Sequence, residues 1–198
     1  MQVLSILKER NISFTIYRDR DSIPYYSVFY TDYFYFVEEV RDRDDVLVIY
    51  DPDDSCRALE RSILATRFKE EYNELVIGID PGRKPYIVVL GDEEILEHGI
   101  VSFNQIDEFI NRCIKCYPHR KAVVRVGGGY NGWKIILEIR DKLGIPIEVV
   151  DEEETTPKSK RVDDPVFLNK AFEKLSRYRN KDAYAALKIA LRKGIEVS

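Results

Sequence analysis

The apolar positions of this chain change period several times, and each change marks an element. The opening stretch "MQVLSILKERN" reads as a short helix over about residues 2–10. Strand-like runs follow in "ISFTIYRD" and "YYSVFYTDYFYFVEEV", then a buried-looking strand, "VLVIY". The segment "DSCRALERSILATRF" predicts a helix that Asp54 or Ser55 would cap by accepting from its first free N–H groups. A polar stretch, "FKEEYNE", then interrupts the pattern at residues 68–74. It divides the chain into a small α/β unit, residues 1–74, and a larger unit, residues 75–198.

The second unit is more regular. "LVIGID" is a short apolar run ended by Pro81-Gly82, which predicts a buried strand and a turn. "YIVVLGD" and "ILEHGIVSF" predict two more strands joined through "GDEE". Ile106, Phe109, Ile110, Cys113, Ile114 and Tyr117 recur at helical spacing. "KAVVRVGGG" predicts another buried strand, "GWKIILEIRDKLG" a helix stopped by Gly144, and "IPIEVVDEE" a further strand. A last helical segment spans roughly 165–193 and ends at Gly194. Three strands followed by strand–helix alternation is the element order of a ribonuclease H-like α/β domain, a mixed sheet with helices on both faces.

Composition narrows the function classes. Apolar residues at 44% supply a core. No run approaches the ~18 consecutive apolar residues of a membrane span, and the N-terminus lacks the apolar core and cleavage site of a signal peptide. Three cysteines, Cys56, Cys113 and Cys116, are an odd number without framework spacing and point to a reducing cytoplasm. Cys113 and Cys116 form one C-x-x-C inside a helical pattern; with His98 and His119 the only histidines, a four-ligand zinc site does not assemble. The net charge of −4 conceals an asymmetry: residues 1–75 carry 10 basic and 16 acidic side chains, and residues 157–198 carry 11 and 5. A basic C-terminal third beside a carboxylate cluster suits a polyanion held near metal ions.

The carboxylates sit at element ends. Asp80 closes the first strand of the second unit, Asp151 and Glu152 follow its last strand, and Asp182 lies among Ala183, Ala185, Ala186 and Ala190 on the final helix. Small residues let that helix approach a sheet closely, within reach of a short Asp side chain. Alternation sends Asp151 and Glu152 to opposite faces, so one of the two is expected to be structural. Magnesium takes a few carboxylates plus water and phosphate oxygens, and two such ions clamp the attacking and leaving oxygens of a phosphodiester.

These residues carry a resemblance. Residues 75–193 resemble the YqgF/RuvC-type nucleases, the Holliday-junction-resolvase-like group that includes the pre-16S rRNA nucleases. "GIDPG", residues 78–82, looks like the first-strand motif of that group; "DEEETT", residues 151–156, is similar to its "DERLTT"; "KDAYAA", residues 181–186, looks like its "VDAIAA". "VRVGGGYNG" stands where the group has "VVGLPLNMDG". The resemblance implies a two-metal nuclease using Mg²⁺ or Mn²⁺, with Asp80, Glu152 and Asp182 as catalytic metal ligands and Asp151 beside them. The fourth strand offers Arg125 where RuvC proper has a Glu, and Ala185 stands where it has a second helical acid. Both departures place the chain nearer the YqgF branch. Lys158, Lys160 and Arg161, with Arg125, are expected to meet phosphates of RNA or branched DNA.

Three rival readings remain open on the sequence. Gly127, Gly129 and Gly132 spell G-x-G-x-x-G between a strand and a helix, and Asp151 follows 19 residues later, as in a Rossmann dinucleotide site. "GID" followed by a glycine also opens the actin-like ATPases, although "GRKP" lacks a hydroxyl for phosphate and the chain is too short for two such domains. The third rival is a catalytically inactive binding module. The Tyr-rich stretch "IPYYSVFYTDYFYF" would suit base stacking, but its unit is net negative; a core or a protein interface, including a homodimer, accounts for it better.

Overall fold

A computed structural model of the chain describes residues 3–151 and 181–197. The described residues divide into two compact units, one of residues 3–71 with 115–118, the other of residues 72–114 with 119–151 and 181–197. Among the described residues no helix is long and apolar enough to cross a membrane.

The first unit holds α1 (Val3–Glu9), β1 (Ser27–Thr31), α2 (Phe34–Glu39), β2 (Val46–Tyr50) and α3 (Cys56–Ala65). β1 and β2 pair in parallel, with Ser27 opposite Val46 and Thr31 opposite Tyr50. Two expectations change here. "ISFTIYRD" forms no strand, and its chain runs into a single 3₁₀ turn, Arg20–Ser22, capped reciprocally by Asp19 and Ser22. The run through "YYSVFYTDYFYFVEEV" breaks after Thr31 into the short helix α2. The break follows from packing: Phe36 must turn back onto Tyr17 at 4.8 Å, and Tyr17 meets Phe29 at 5.3 Å. One buried cluster of this unit is Ile23, Val40 and Val46, with Tyr17, Phe29 and Val48 against them, and α3 buries Leu59, Ile63 and Leu64. A buried ion pair, Arg10 to Glu60 at 2.5 Å, ties α1 to α3. Ser55 caps α3 by accepting from the Ala58 N–H at 3.2 Å.

The second unit is a six-stranded mixed sheet. Its elements are β3 (Tyr72–Asp80), β4 (Tyr86–Gly91), β5 (Glu94–Ile100), α4 (Ile106–Cys116), β6 (His119–Gly127), α5 (Tyr130–Ile139), β7 (Ile147–Val150), α6 (Lys181–Leu191) and β8 (Ile195–Glu196). The strand order across the sheet is β5-β4-β3-β6-β7-β8. β4 and β5 run antiparallel as a meander from β3, whereas β6 and β7 run parallel to it. This is the ribonuclease H-like arrangement expected from the element order. The two-residue strand β8, antiparallel to β7, was not anticipated.

Handedness places the helices. The crossovers β3 to β6 and β6 to β7 step in the same direction, so right-handed connections put α4 and α5 on one face. That face carries Leu75, Ile77, Ile79, Ile87, Val89, Val124 and Val126, each at most 2% exposed. The helices answer with Ile106, Ile110, Ile135, Ile136 and Ile139, also buried. The opposite face packs α6: Ala183, Ala186, Leu187 and Ala190 meet Val76, Val88, Leu90, Ile95 and Val123.

Cysteine usage is a further departure from expectation. Cys56 and Cys116, both in the first unit, are joined as a disulfide, with Cα atoms 5.3 Å apart. Sixty residues separate them, and helix C-terminal and N-terminal positions met only in the fold, so spacing alone gave no warning. Cys113 is buried and free, its thiol pushed up to about 12 by burial.

Candidate active site at the strand ends

One close contact organises this region. A Cβ built on Gly78 would lie 2.5 Å from the Ala190 Cβ, 2.6 Å from the Ala186 carbonyl oxygen and 2.7 Å from the Ala190 nitrogen. Only a hydrogen fits there, so α6 lies directly on the centre of β3. Asp80 is two residues beyond Gly78 and therefore points to the same face. Asp182 lies in the first turn of α6, one helical turn before Ala186. Asp182 is exposed and Asp80 half-buried.

The parallel strands bring their carboxyl ends to one edge. Ile79 pairs with Val126, Val126 with Val149, and Gly127 with Val150. Asp80 therefore shares a row with Gly127 and Val150. Asp151 comes one residue after that row, is exposed, and is sent by alternation to the face opposite Asp80. Glu152, Lys158, Lys160 and Arg161 lie outside the described residues. Among the described residues, no group of three or more His, Cys, Asp or Glu side chains is assembled for an ion. The described acids nonetheless offer the right donors: hard carboxylate oxygens, one or two of which suffice for a magnesium ion that keeps water and takes phosphate oxygens.

Arg125 corrects an expectation. It was expected to meet phosphate, but it is 6% exposed and engaged. Its Nε donates to Glu148 Oε2 at 2.8 Å and its Nη1 donates to the Ala190 carbonyl at 2.6 Å. The Gly194 N–H donates to the same Glu148 oxygen at 3.1 Å. The reason is register: Gly78 pairs with Arg125, and Arg125 with Glu148, so both side chains project under the C-terminal end of α6. There a cation satisfies the last helical carbonyls. Arg125 is a clamp on α6.

The glycine loop also acquires a structural account. Gly129 has φ +93°, a backbone region that disfavours side chains. A Cβ on Gly132 would lie 2.0 Å from the Gly127 carbonyl oxygen and 3.6 Å from Pro81 Cγ. These glycines let the first turn of α5 seat against the end of β6 and against the turn that follows Asp80. A Rossmann half would continue the glycine strand into further parallel strands; here β6 lies between β3 and β7, and the rest of the sheet is antiparallel.

Several residues near Asp80 were not singled out from the sequence. Tyr86 is its cross-strand partner, and the Tyr86 hydroxyl shares a 2.8 Å hydrogen bond with His98 Nδ1. Asp80 also borders a cleft of about 690 Å³, lined by Pro81 to Pro85, Ile100 to Phe103, Asn131, Lys134 and Ile135. A Cβ on Gly82, in the cleft wall, would be 3.9 Å from Asp80 Oδ1. The cleft joins the turn after β3, the chain at the end of β5 and the first turns of α5, segments distant in sequence, so no local pattern announced it.

No protein-family model matches the chain. No curated protein matches it either. Among solved structures, the chain is similar to T. thermophilus RuvC in complex with a Holliday junction substrate, with a TM-score of 0.45 and 15% identity. The match covers 60% of this chain and 91% of that one.

Proposed function

We propose that this protein hydrolyses phosphodiester bonds of nucleic acid with divalent metal ions held at the carboxyl ends of β3 and β7. The observation that supports the reading is the Gly78–α6 contact, which seats the helix that carries Asp182 on the strand that Asp80 ends. A side-chain-free residue at the centre of a sheet, opposite a run of alanines, has no benefit for core packing, where larger residues would bury more surface. It is accounted for by the need to bring the helix and its acid to the strand end.

In this reading Asp80 and Asp182 hold the ions with Glu152, and Asp151 stands on the far side of the edge. When bound, Mg²⁺ or Mn²⁺ neutralises phosphate oxygens and acidifies water. The chain's own residues orient the ligands: Gly78 and Arg125 fix the height and the end of α6, and Tyr86 and Pro81 border Asp80. Lys158, Lys160 and Arg161 remain the expected phosphate contacts of the segment that follows β7. The substrate is RNA or branched DNA.

The test is a cleavage panel. Single-stranded RNA, structured precursor RNA, duplex DNA and four-way junctions are incubated with Mg²⁺, Mn²⁺ or EDTA. Metal-dependent cleavage that disappears in Asp80→Asn and Asp182→Asn is the expected result. Cleavage that persists in either variant would remove that residue from the site. Binding without any cleavage would support the inactive module instead.

A further inference from the structure

Resting on that reading of the strand ends, we infer that the cleft beside Asp80 receives one unpaired nucleotide of the substrate strand. Its size, about 690 Å³, lies within the roughly 300–1,000 Å³ typical of small-ligand sites. Its walls divide by chemistry. Arg83 and Lys84 stand exposed on the β3–β4 turn, and Lys134 stands exposed on α5. No carboxylate is among the described lining residues. The remaining surface is apolar: Pro81, Pro85, Val101 and Ile135 are buried, while Ile100 and Phe103 are 57% and 41% exposed.

Cations alone would fit any anion, and an apolar hollow alone would fit any hydrophobe. Their combination selects a ligand with a flat apolar body and a phosphate, which is a nucleotide. Phe103 offers a ring for stacking, and Ser102 and Asn131 offer hydrogen bonds to a base edge or sugar. A base inside a duplex is already stacked on both faces and cannot turn a face to Phe103, so the cleft favours an unpaired nucleotide. Because Gly82 belongs both to the cleft wall and to the surroundings of Asp80, the occupant neighbours the phosphate presented to that carboxylate.

The test separates this inference from the nuclease reading by measuring binding in EDTA, where metal-dependent cleavage cannot proceed. A labelled short single strand and the blunt duplex of the same sequence are titrated by fluorescence anisotropy. The emission of Trp133, the one tryptophan, reports from α5 next to Lys134. The full chain is compared with Phe103→Ala, and with Lys84→Ala combined with Lys134→Ala. All three positions are exposed, and circular dichroism checks that the variants fold. The single strand is expected to bind more tightly than the duplex. Phe103→Ala should weaken single-strand binding about 5- to 150-fold and leave duplex binding unchanged. The double lysine variant should lower the salt slope by about 1.4. Equal affinity for strand and duplex, or a Phe103→Ala affinity within twofold of the parent, overturns the inference. If the strand preference is present and lost on substitution while no cleavage occurs with metal, the cleft stands and the nuclease reading falls. If cleavage occurs with KM unchanged in Phe103→Ala, the nuclease reading stands and the cleft falls.

Discussion

Replacing Gly78 by alanine puts a methyl group where a hydrogen was, and the geometry says this is too much. Ordinary carbon–carbon contact is about 3.5–4.0 Å. The new Cβ would stand 2.5 Å from the Ala190 Cβ, and 2.6 and 2.7 Å from backbone atoms of Ala186 and Ala190. Backbone atoms of a helix cannot change rotamer, so α6 must retreat from β3 by about 1 Å. A gap of that size forfeits about a quarter to a half of each lost contact, and Ala183, Ala186, Leu187 and Ala190 all share it. Overpacking of this kind costs about 1–3 kcal/mol, and the loosened seam takes the expected total to about 3 kcal/mol. For a chain of this size that is a Tm lower by about 6–12 °C. Gly99→Ala and Gly144→Ala are the controls, because an added Cβ meets nothing within 4 Å at either position. Both should stay within about 0.5 kcal/mol of the parent in urea unfolding. The active-site reading adds a second readout: a displacement of about 1 Å between Asp80 and Asp182 should lower cleavage about 100-fold even below the melting range. A Gly78→Ala protein as stable as the controls would show that α6 does not lie on β3 as described, and the argument for the site would go with it.

Other substitutions probe separate parts of the chain. Arg125→Ala leaves Glu148 without its cation in a site where the two side chains are 7% and 21% exposed, and should destabilise by about 3–5 kcal/mol in urea unfolding. Arg125→Met paired with Glu148→Leu should cost less, which would identify the loss as an orphaned charge. In the first unit, Arg10→Ala should have a similar effect through buried Glu60, read by the same unfolding curve. The Arg43 guanidinium, bonding at 2.6 and 2.7 Å, holds the Asp45 carboxyl at about 2, below its ordinary 3.8. A depressed carboxylate stabilises above its unfolded value and loses that contribution as pH falls through its folded value. Acid unfolding of Asp45→Asn should therefore be shallower than that of the parent between pH 3.8 and about 2. Burial pushes the Cys113 thiol up to about 12, so alkylation at mild pH should be negligible in the native chain and complete after unfolding. With Cys56 and Cys116 joined, the unfolded, unreduced chain should titrate a single thiol.

The sequence by itself determined the second unit well, because there each element carries its own period. The apolar runs that became β3, β4, β6 and β7, the spacing that became α4 and α5, and the Pro81-Gly82 turn are local properties of the chain. From their order the mixed sheet with helices on both faces followed. The first unit was harder: its apolar residues are largely aromatic, and an alternating aromatic run suits a strand or a short helix equally until Tyr17, Phe29 and Phe36 choose partners. Asp80 and Asp182 were legible as unusual residues in their elements. The close seat of α6 on β3 was not, since it rests on a hydrogen in place of a side chain at Gly78 meeting a helix more than a hundred residues away. The same holds for Arg125, a cation that sequence assigns to phosphate and the register of three strands turns inward to Glu148. The cleft, the Cys56–Cys116 pair and the Arg10–Glu60 pair likewise join residues from distant segments. Periodicity reports which face of an element is buried; only the packed fold decides what that face, and each polar group on it, is buried against.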